Sequence, residues 1–255
     1  MPSLGRFLRQ IRESLHNPRT RRALSREKAA QRVGLSTAYL IQIEKDLRVP
    51  TPQALQLLTA GYGLTAAQAR HIRELREPPV PVLSGDIVRA RIRQSPAVLD
   101  RLTRLDHAQV IAAYFDPFWN LLAANHTMHD TFPALAEAGN LLLWHFSTDA
   151  RERLPDWELE TAQMVALLKP TLGVHRRAAD ARQLLTRLQH DYDFQRMWTR
   201  SCEITYHRDP TTPLRIRTVT DHLRAINVEA STVSDVHGYV RLYQGLSLPE
   251  GAMGR

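Results

Sequence analysis

The segment REKAAQRVGLSTAYLIQIEK, residues 26–45, constrains the fold of this chain more than any other. Ser25 and Ser36 can each cap a helix through the side-chain hydroxyl, and Gly34 can end the first helix with a positive φ. Apolar residues recur at helical spacing on one side of both helices, and the small Ala30 allows a close crossing. The segment is therefore predicted to form a helix-turn-helix.

Three more helices are predicted around this pair. Apolar residues at helical spacing indicate one over about residues 4–15, and Thr51 and Thr65 can each cap a further one. The Pro-rich segment EPPVPVLSG that follows cannot continue a helix. We therefore predict an all-α domain of five helices at residues 1–77, a linker at 78–85 and a second domain at 86–255.

The charge of the chain is concentrated in the first of these domains. Residues 1–78 hold 14 Lys and Arg against 6 Asp and Glu, so they account for the whole net charge of +8. Residues 79–255 hold 20 of each sign. A basic domain joined to a neutral one suits a protein in which one part neutralises phosphates.

The first 75 residues resemble the Cro-like family of bacterial regulators, often called the XRE family. The resemblance rests on the helix-turn-helix with LGRFLRQIRESL before it and IEKDLRVPT and the following helices after it. It implies that the second helix of the motif enters the major groove of DNA. The residues that it implies for contact with bases are Thr37, Ala38 and Gln42, and those for contact with phosphates are Arg26, Ser36, Tyr39 and Lys45.

The second domain is predicted to mix helices and strands. The sequence favours helices at residues 90–105, 125–132, 156–168, 176–190 and 194–200. It favours strands at residues 109–115, 118–123, 202–207, 214–220, 223–231 and 238–246. Strands at both ends of a helical stretch predict a single antiparallel sheet with helices on one side.

This half resembles the ligand-binding domain of MmyB-like transcription regulators. The matching blocks are FDPFWNLLAANHTM from Phe115, NLLLWHFSTDARERLPDWE from Asn140, DFQRMWTRSCEI from Asp193 and LYQGLSLPEG from Leu242. The resemblance implies an α+β PAS-like fold that holds a small, largely apolar molecule between sheet and helices. The candidates for its pocket are Trp119, Asn125, Phe132, Trp144, Phe146 and Trp198. The favoured interpretation of each single aromatic is that it belongs to the core, and that of Asn125 is that it caps the following helix.

Composition indicates a reducing compartment. The 255 residues include one cysteine, Cys202, which excludes an internal disulfide framework. No apolar run approaches the roughly 18 residues that span a bilayer, and the first residues lack the pattern of a secretory signal. We expect a cytoplasmic protein without a membrane partner.

Signals for catalysis or metal binding are weak. His126 and His129 stand three residues apart near Asp130, without a complete set of metal ligands. Cys202 and His207 would point to opposite faces of a strand. The chain has no P-loop, dinucleotide fingerprint or GxSxG elbow. We therefore expect neither an enzyme nor a cofactor.

These observations predict a sequence-specific bacterial transcription regulator that binds double-stranded operator DNA. Its second domain is expected to sense a small apolar molecule or to mediate dimerisation, and a homodimer is expected because one such domain reads only a half-site. The alternative is a DNA-binding interaction protein, antitoxin-like or a dimerising adaptor, without a ligand. A DNA-associated enzyme that uses the second domain's cavity is a third class.

Overall fold

The computed structural model describes residues 1–16, 22–233 and 240–249. The helices in these ranges are α1 (Leu4–Ser14), α2 (Arg26–Val33), α3 (Thr37–Glu44), α4 (Pro52–Tyr62), α5 (Ala66–Arg76), α6 (Gly85–Arg93), α7 (Pro96–His107), α8 (His126–Thr131), α9 (Leu135–Ala138), α10 (Leu141–His145), α11 (Thr148–Arg153), α12 (Trp157–Val174), α13 (Ala179–Leu188) and α14 (Tyr192–Arg200). The strands are β1 (Ile111–Phe115), β2 (Leu121–Ala124), β3 (Leu214–Arg217), β4 (Leu223–Val233) and β5 (Val240–Ser247).

The five predicted N-terminal helices are confirmed as α1 to α5, and their ends follow from local chemistry. The hydroxyls of Ser25, Ser36, Thr51 and Thr65 each accept a hydrogen bond from the backbone N–H three residues on. Gly34 ends α2 at a φ of +70°, where a side chain would be strained. The core between these helices includes four side chains that are inaccessible to solvent, Leu8, Leu40, Leu58 and Ile72.

The C-terminal half contains an antiparallel sheet, as predicted. Within the described residues its strand order is β2-β1-β5-β4-β3. The central pairing sets Ala113 opposite Tyr243, and the β4–β5 ladder sets Ala230 opposite Tyr243. The first and last parts of this half therefore meet at the middle of the sheet.

Helices cover both faces of the sheet, so the prediction of helices on one side was wrong. Ile111, Ala113 and Phe115 of β1 face the larger core, which α8, α10 and α12 to α14 complete. Ala112 and Tyr114 face a second core that α6 and α7 supply. All five residues of β1 are buried, because the strand is covered on both sides.

Two predicted elements near the start of this half differ from the structure. The helix expected at residues 90–105 is two helices, because Pro96 lacks an N–H and instead begins α7. The strand expected at 118–123 begins only at Leu121. Asp116 accepts hydrogen bonds from the N–H groups of Phe118 and Asn120, which holds a turn in which Trp119 has a φ of +66°.

Later elements also differ in part. Residues 202–207, expected as a strand, form no regular element, because their backbone bonds to the N-terminal helices and to α12. The helix expected at 156–168 continues to Val174 through the buried Pro170. The helices α9, α10 and α11 were not predicted. Gly238, the predicted start of the last strand, lies outside the described residues.

The Pro-rich segment packs on the C-terminal half. Val80 donates its N–H to the carbonyl of Val174 at 2.9 Å, and its carbonyl lies 2.9 Å from Nδ1 of His175. The limits 1–77, 78–85 and 86–255 stay predictions. In the described part of the chain, none of the helices has the length and apolarity needed to cross a bilayer.

Candidate functional site

The predicted base-contacting residues lie together on α3. Ser36 caps the helix by accepting the N–H of Tyr39 at 3.2 Å. Ala38 and Gln42 are exposed one turn apart, and Thr37 beside them is half-buried. Leu40 and Ile43 bury the opposite side of the helix. The arrangement leaves a short polar face free for an external partner.

Lys45 and Arg26 lie at different ends of the motif. Lys45 is exposed directly after α3, at its C-terminal end. Arg26 begins α2 and is half-buried, since its Nε donates to Oε2 of Glu44 at 2.7 Å. Its charge is thus partly neutralised within the protein.

Glu44 holds the motif together through a buried cluster of charges. Its side chain is inaccessible to solvent and accepts from Nε of Arg12 at 2.5 Å as well as from Arg26. Arg12 also donates to the carbonyl of Leu24 at 2.7 Å. One carboxylate therefore fixes α1, α2 and α3 relative to one another.

Tyr39 is tied to the loop after α3. Its hydroxyl accepts the backbone N–H of Thr51 at 3.2 Å, and the guanidinium of Arg48 lies 5.2 Å from the centre of its ring. Tyr39 thereby positions a second exposed cation next to the polar face of α3.

The C-terminal half contains a cavity of about 950 Å³. Its walls come from β3, β4 and β5 on one side and from α10 and α12 on the other, and residues 206–208 and Pro210 also line it. This volume lies in the range of known ligand pockets. The cavity occupies the place that the sequence predicted, between sheet and helices.

Three of the six predicted pocket residues line the cavity. They are Trp119, Phe132 and Trp144. Phe132 and Trp144 pack edge to face with ring centres 5.0 Å apart, and both are fully buried. Together with Leu141 and Met164 they give the cavity an apolar wall.

The other three predicted pocket residues lie elsewhere. Asn125 caps α8 through the N–H of Met128, and its amide nitrogen donates to the carbonyl of Val110 at 2.7 Å. These bonds use the side chain for structure. Phe146 and Trp198 pack on either side of Phe194, with ring centres 5.6 Å and 5.4 Å away.

Polar groups interrupt the apolar wall at one end. The guanidinium of Arg241 lies 4.7 Å from the ring centre of Trp119, and donates to the Pro117 carbonyl and to Oγ1 of Thr171, both at 3.1 Å. Burial lowers the pKa of Arg241, and the charge of Asp116 partly opposes this. The indole nitrogen of Trp119 is buried without a hydrogen-bond partner among the described residues.

A buried ion pair forms another part of the wall. Arg208 donates to both carboxylate oxygens of Glu160, at 2.5 and 2.8 Å. His145 lies in the same wall and shares a hydrogen bond of 3.2 Å with Thr161. Burial, aided by the charge of Arg208, lowers the pKa of His145 to about 3, so the ring is neutral at pH 7.

The residues considered for catalysis or metal binding do not form one site. Cys202 packs against the N-terminal core, whereas His207 lines the cavity. The argument from opposite faces of a strand was wrong, because this segment is not a strand. His126 and Asp130 are both exposed and 3.4 Å apart. In the ranges that the structure covers, no three His, Cys, Asp or Glu side chains cluster as metal ligands do.

Sequence reasoning missed several functional groups. Glu44 falls four residues after Leu40, on the buried side of α3, and this spacing could have marked it as a buried charge. Arg208 and Arg241 gave no such signal, because their partners Glu160 and Trp119 are distant in sequence.

Two family sequence models match the chain. The model of the MmyB-like transcription regulator ligand binding domain matches residues 95–244. The model of a helix-turn-helix domain matches residues 3–72. No curated protein is significantly similar to the chain. The first match spans the cavity-bearing half, and the second spans nearly all of α1 to α5.

Proposed function

The chain belongs to the MmyB-like transcription regulators, which combine a DNA-binding helix-turn-helix domain with a ligand-binding domain, and we propose that it is a ligand-responsive, sequence-specific regulator. In this proposal α3 reads a DNA operator, and the cavity of the C-terminal half holds a small, largely apolar molecule. The observation that carries the proposal is the occurrence, in one chain, of an exposed polar helix face on a basic domain and an aromatic-walled cavity of about 950 Å³.

Base readout is assigned to the exposed face of α3. Gln42 can pair with the N6 and N7 edge of adenine, and Ala38 and Thr37 can contact a thymine methyl. Ser36, Tyr39, Lys45 and Arg26 are assigned to phosphates. Phosphate contacts fix the position of the helix without reading sequence.

The N–H groups of Arg26 that do not bind Glu44 support its phosphate role. One nitrogen of its guanidinium binds Glu44, and the remaining N–H groups lie on a half-buried side chain at the start of α2. An Arg26→Ala variant should bind all DNA sequences more weakly and with a flatter salt dependence. An unchanged salt slope would remove Arg26 from the phosphate contacts.

The ligand is expected to be apolar over most of its surface. The wall formed by Phe132, Leu141, Trp144 and Met164 offers no charge, while Arg241 at the other end offers a cation that can orient one polar group. Because one helix-turn-helix reads a half-site, we further propose that a homodimer binds a two-fold symmetric operator.

The test is selection of DNA from a random pool by the purified full chain, followed by binding to the selected duplex with and without a metabolite fraction of cell extract. We expect a short, two-fold symmetric site whose affinity changes with the fraction. Salt-sensitive binding without a preferred sequence would contradict the proposal. It would favour a DNA-binding interaction protein, and a stable complex with a second protein from the native host would then be expected.

A further inference from the structure

Residues 201–208, here called the strap, pass between the cavity and the DNA-binding helices. The strap has no regular secondary structure, and Nζ of Lys169 on α12 holds its start by donating to the carbonyl of Ser201 at 2.5 Å. Further along, the N–H of Thr205 donates to the carbonyl of Ala166 at 3.3 Å. The strap is therefore anchored on the main helix of the cavity wall.

The other side of the strap is bound to the N-terminal helices. Gln10 of α1 donates to the carbonyl of Ser201 at 3.0 Å, and Gln68 of α5 donates to the carbonyl of Cys202 at 2.9 Å. Ile204 is buried within the core of the helix-turn-helix domain, where it packs with apolar residues of α1 to α5. A movement of the strap would therefore displace α1 and α5 directly.

Tyr206 joins the strap to α5 through a closed set of contacts. Its hydroxyl donates to Oε2 of Glu74 at 2.5 Å, and Nε of Arg70 donates to Oε1 of the same carboxylate at 2.8 Å. The guanidinium of Arg70 lies 3.8 Å from the centre of the Tyr206 ring. Burial and the Glu74 carboxylate raise the pKa of Tyr206, so the hydroxyl stays a donor at neutral pH.

These residues also line the cavity. Arg70, Tyr206 and Arg208 all contribute to its wall, so one helix of the DNA-binding half is part of the enclosure. Nε of Arg208 is buried and has no hydrogen-bond partner among the described residues, beside the ion pair with Glu160. An occupant that reaches these residues therefore packs against the strap itself.

α1, which packs on α5 with the rings of Phe7 and His71 edge to face and their centres 4.9 Å apart, connects the strap to the recognition helix. α1 contacts the strap at Gln10, and at its other end the N–H of Gly5 donates to Oδ1 of Asp46, just after α3, at 2.7 Å. Any Cβ at Gly5 would overlap the carbonyl oxygen of Ile43 on α3. The two contact points on α1 are about 7 Å apart along the helix axis, so a tilt of α1 would change the position of α3.

From this arrangement we infer that the strap couples occupancy of the cavity to DNA binding, and that the contacts among Arg70, Glu74 and Tyr206 carry the coupling. The inference deepens the proposed function and rests on it. A ligand shifts DNA affinity only by the difference between its contacts in the two states, and here those contacts include the strap and α5.

The test measures a coupling ratio with 8-anilinonaphthalene-1-sulfonate as the probe of the cavity. The ratio is the affinity of the full chain for its selected duplex with saturating probe, divided by the affinity without it. Leu167→Trp, which adds an indole ring to the lining of the cavity from α12, should weaken probe binding and thereby locate the probe. Wild-type protein should show a ratio that departs from 1 by at least about fivefold, in either direction.

Two variants cut the coupling contact, and a third controls for the loss of a helix ion pair. Glu74→Ala removes the acceptor of both bonds, and Tyr206→Phe removes only the hydroxyl. Both should bring the ratio to within about twofold of 1. Asp86→Ala loses an ion pair within α6, in which Nη1 of Arg89 donates to Oδ1 at 3.0 Å, but it does not touch the strap. Its ratio should equal the wild-type ratio.

The outcomes separate the inference from the proposed function. An unchanged ratio in Glu74→Ala and Tyr206→Phe would overturn the strap as the route and leave a ligand-responsive regulator intact. A wild-type ratio of 1 with the probe bound would overturn coupling itself. A wild-type protein that does not bind the probe would overturn the ligand-binding part of the proposed function, and the inference with it.

Discussion

The interiors of the two halves of this protein differ in the space that they leave unfilled. The DNA-binding half buries Leu8, Leu40 and Leu58 completely, and its buried carboxylate, Glu44, is paired on both oxygens by Arg12 and Arg26. The C-terminal half keeps a cavity of about 950 Å³. Both halves leave buried polar atoms without partners among the described residues, on Tyr62 and His71 in the first and on Trp119 and Arg208 in the second, so unfilled space is what distinguishes them. Unfilled space weakens a fold unless something else binds there. We call the first half the reader and the second the receptor.

Removal of the carboxylate of Glu44 should have the largest effect on the stability of the DNA-binding half. Glu44→Ala leaves Arg12 buried without a counter-charge and should lower the free energy of unfolding by about 3 to 5 kcal/mol. Urea unfolding monitored by circular dichroism measures the loss. Asp86→Ala, on an exposed side chain paired with Arg89, is the control and should cost less than about 1 kcal/mol. Equal small losses would show that the buried cluster does not hold the reader together.

Leucines in the two interiors should differ in their sensitivity to truncation. Leu8→Ala opens a hole in a filled core and should cost about 2 to 5 kcal/mol. Leu141→Ala removes the same atoms from a wall that already faces the cavity, where fewer contacts are lost, and should cost at most about half as much. The comparison uses urea unfolding of both variants. If Leu141→Ala cost as much as Leu8→Ala, truncation beside the cavity would remove as many packing contacts as truncation in the core of the DNA-binding half.

Buried histidines in the two halves predict a loss of stability in acid. Burial lowers the pKa of His71, on α5, to about 4 and that of His145, in the cavity wall, to about 3. Both folded-state values lie below the ordinary 6.5, so the unfolded chain binds more protons as the pH falls below that value. The contribution of each neutral ring to the free energy of unfolding is complete above pH 6.5. Each contribution should fall by about 2 kcal/mol by pH 5.

Unfolding in urea at pH 7.5 and pH 5 measures this effect. His71→Gln and His145→Gln should each reduce the difference between the two pH values, whereas the exposed His222→Gln should not. A difference between the two pH values that stays at its wild-type size in His71→Gln and His145→Gln would show that neither ring is buried in its neutral form.

Changes on the polar face of α3 should affect DNA and leave stability alone. Gln42→Ala should cost about 1 to 3 kcal/mol of binding at the selected site and spare non-specific binding. Gln31→Ala, exposed on α2, is a matched control that should bind the site normally. Fluorescence anisotropy with selected and scrambled duplexes separates the two effects. An equal loss on both duplexes would take base reading away from Gln42.

The reader could be predicted from the sequence because its signals are local. Ser25, Gly34 and Ser36 fix the helix ends within a few residues, and apolar spacing identifies the buried sides of the helices. The resemblance to a known family then named the exposed positions of α3. Glu44 escaped notice because its two arginine partners lie on other helices.

The receptor was less predictable because its walls come from distant parts of the chain. Trp119, Phe132 and Trp144 were recognised as large apolar groups in matching blocks, and they line the cavity. Local pattern could not show that Phe146 and Trp198 pack on Phe194 instead, nor that residues 202–207 bridge two halves without forming a strand. Both outcomes depend on tertiary contacts that override local preference.

The most direct test of whether the cavity controls DNA binding is the affinity of the protein for the selected duplex, with and without the metabolite fraction. It is measured for wild type and Leu167→Trp. Leu159→Trp, exposed on the same helix, is the matched control. We predict that the fraction changes the affinity of wild type and Leu159→Trp at least about fivefold, and that it changes the affinity of Leu167→Trp less. An equal change in all three proteins would contradict control of DNA binding by the cavity.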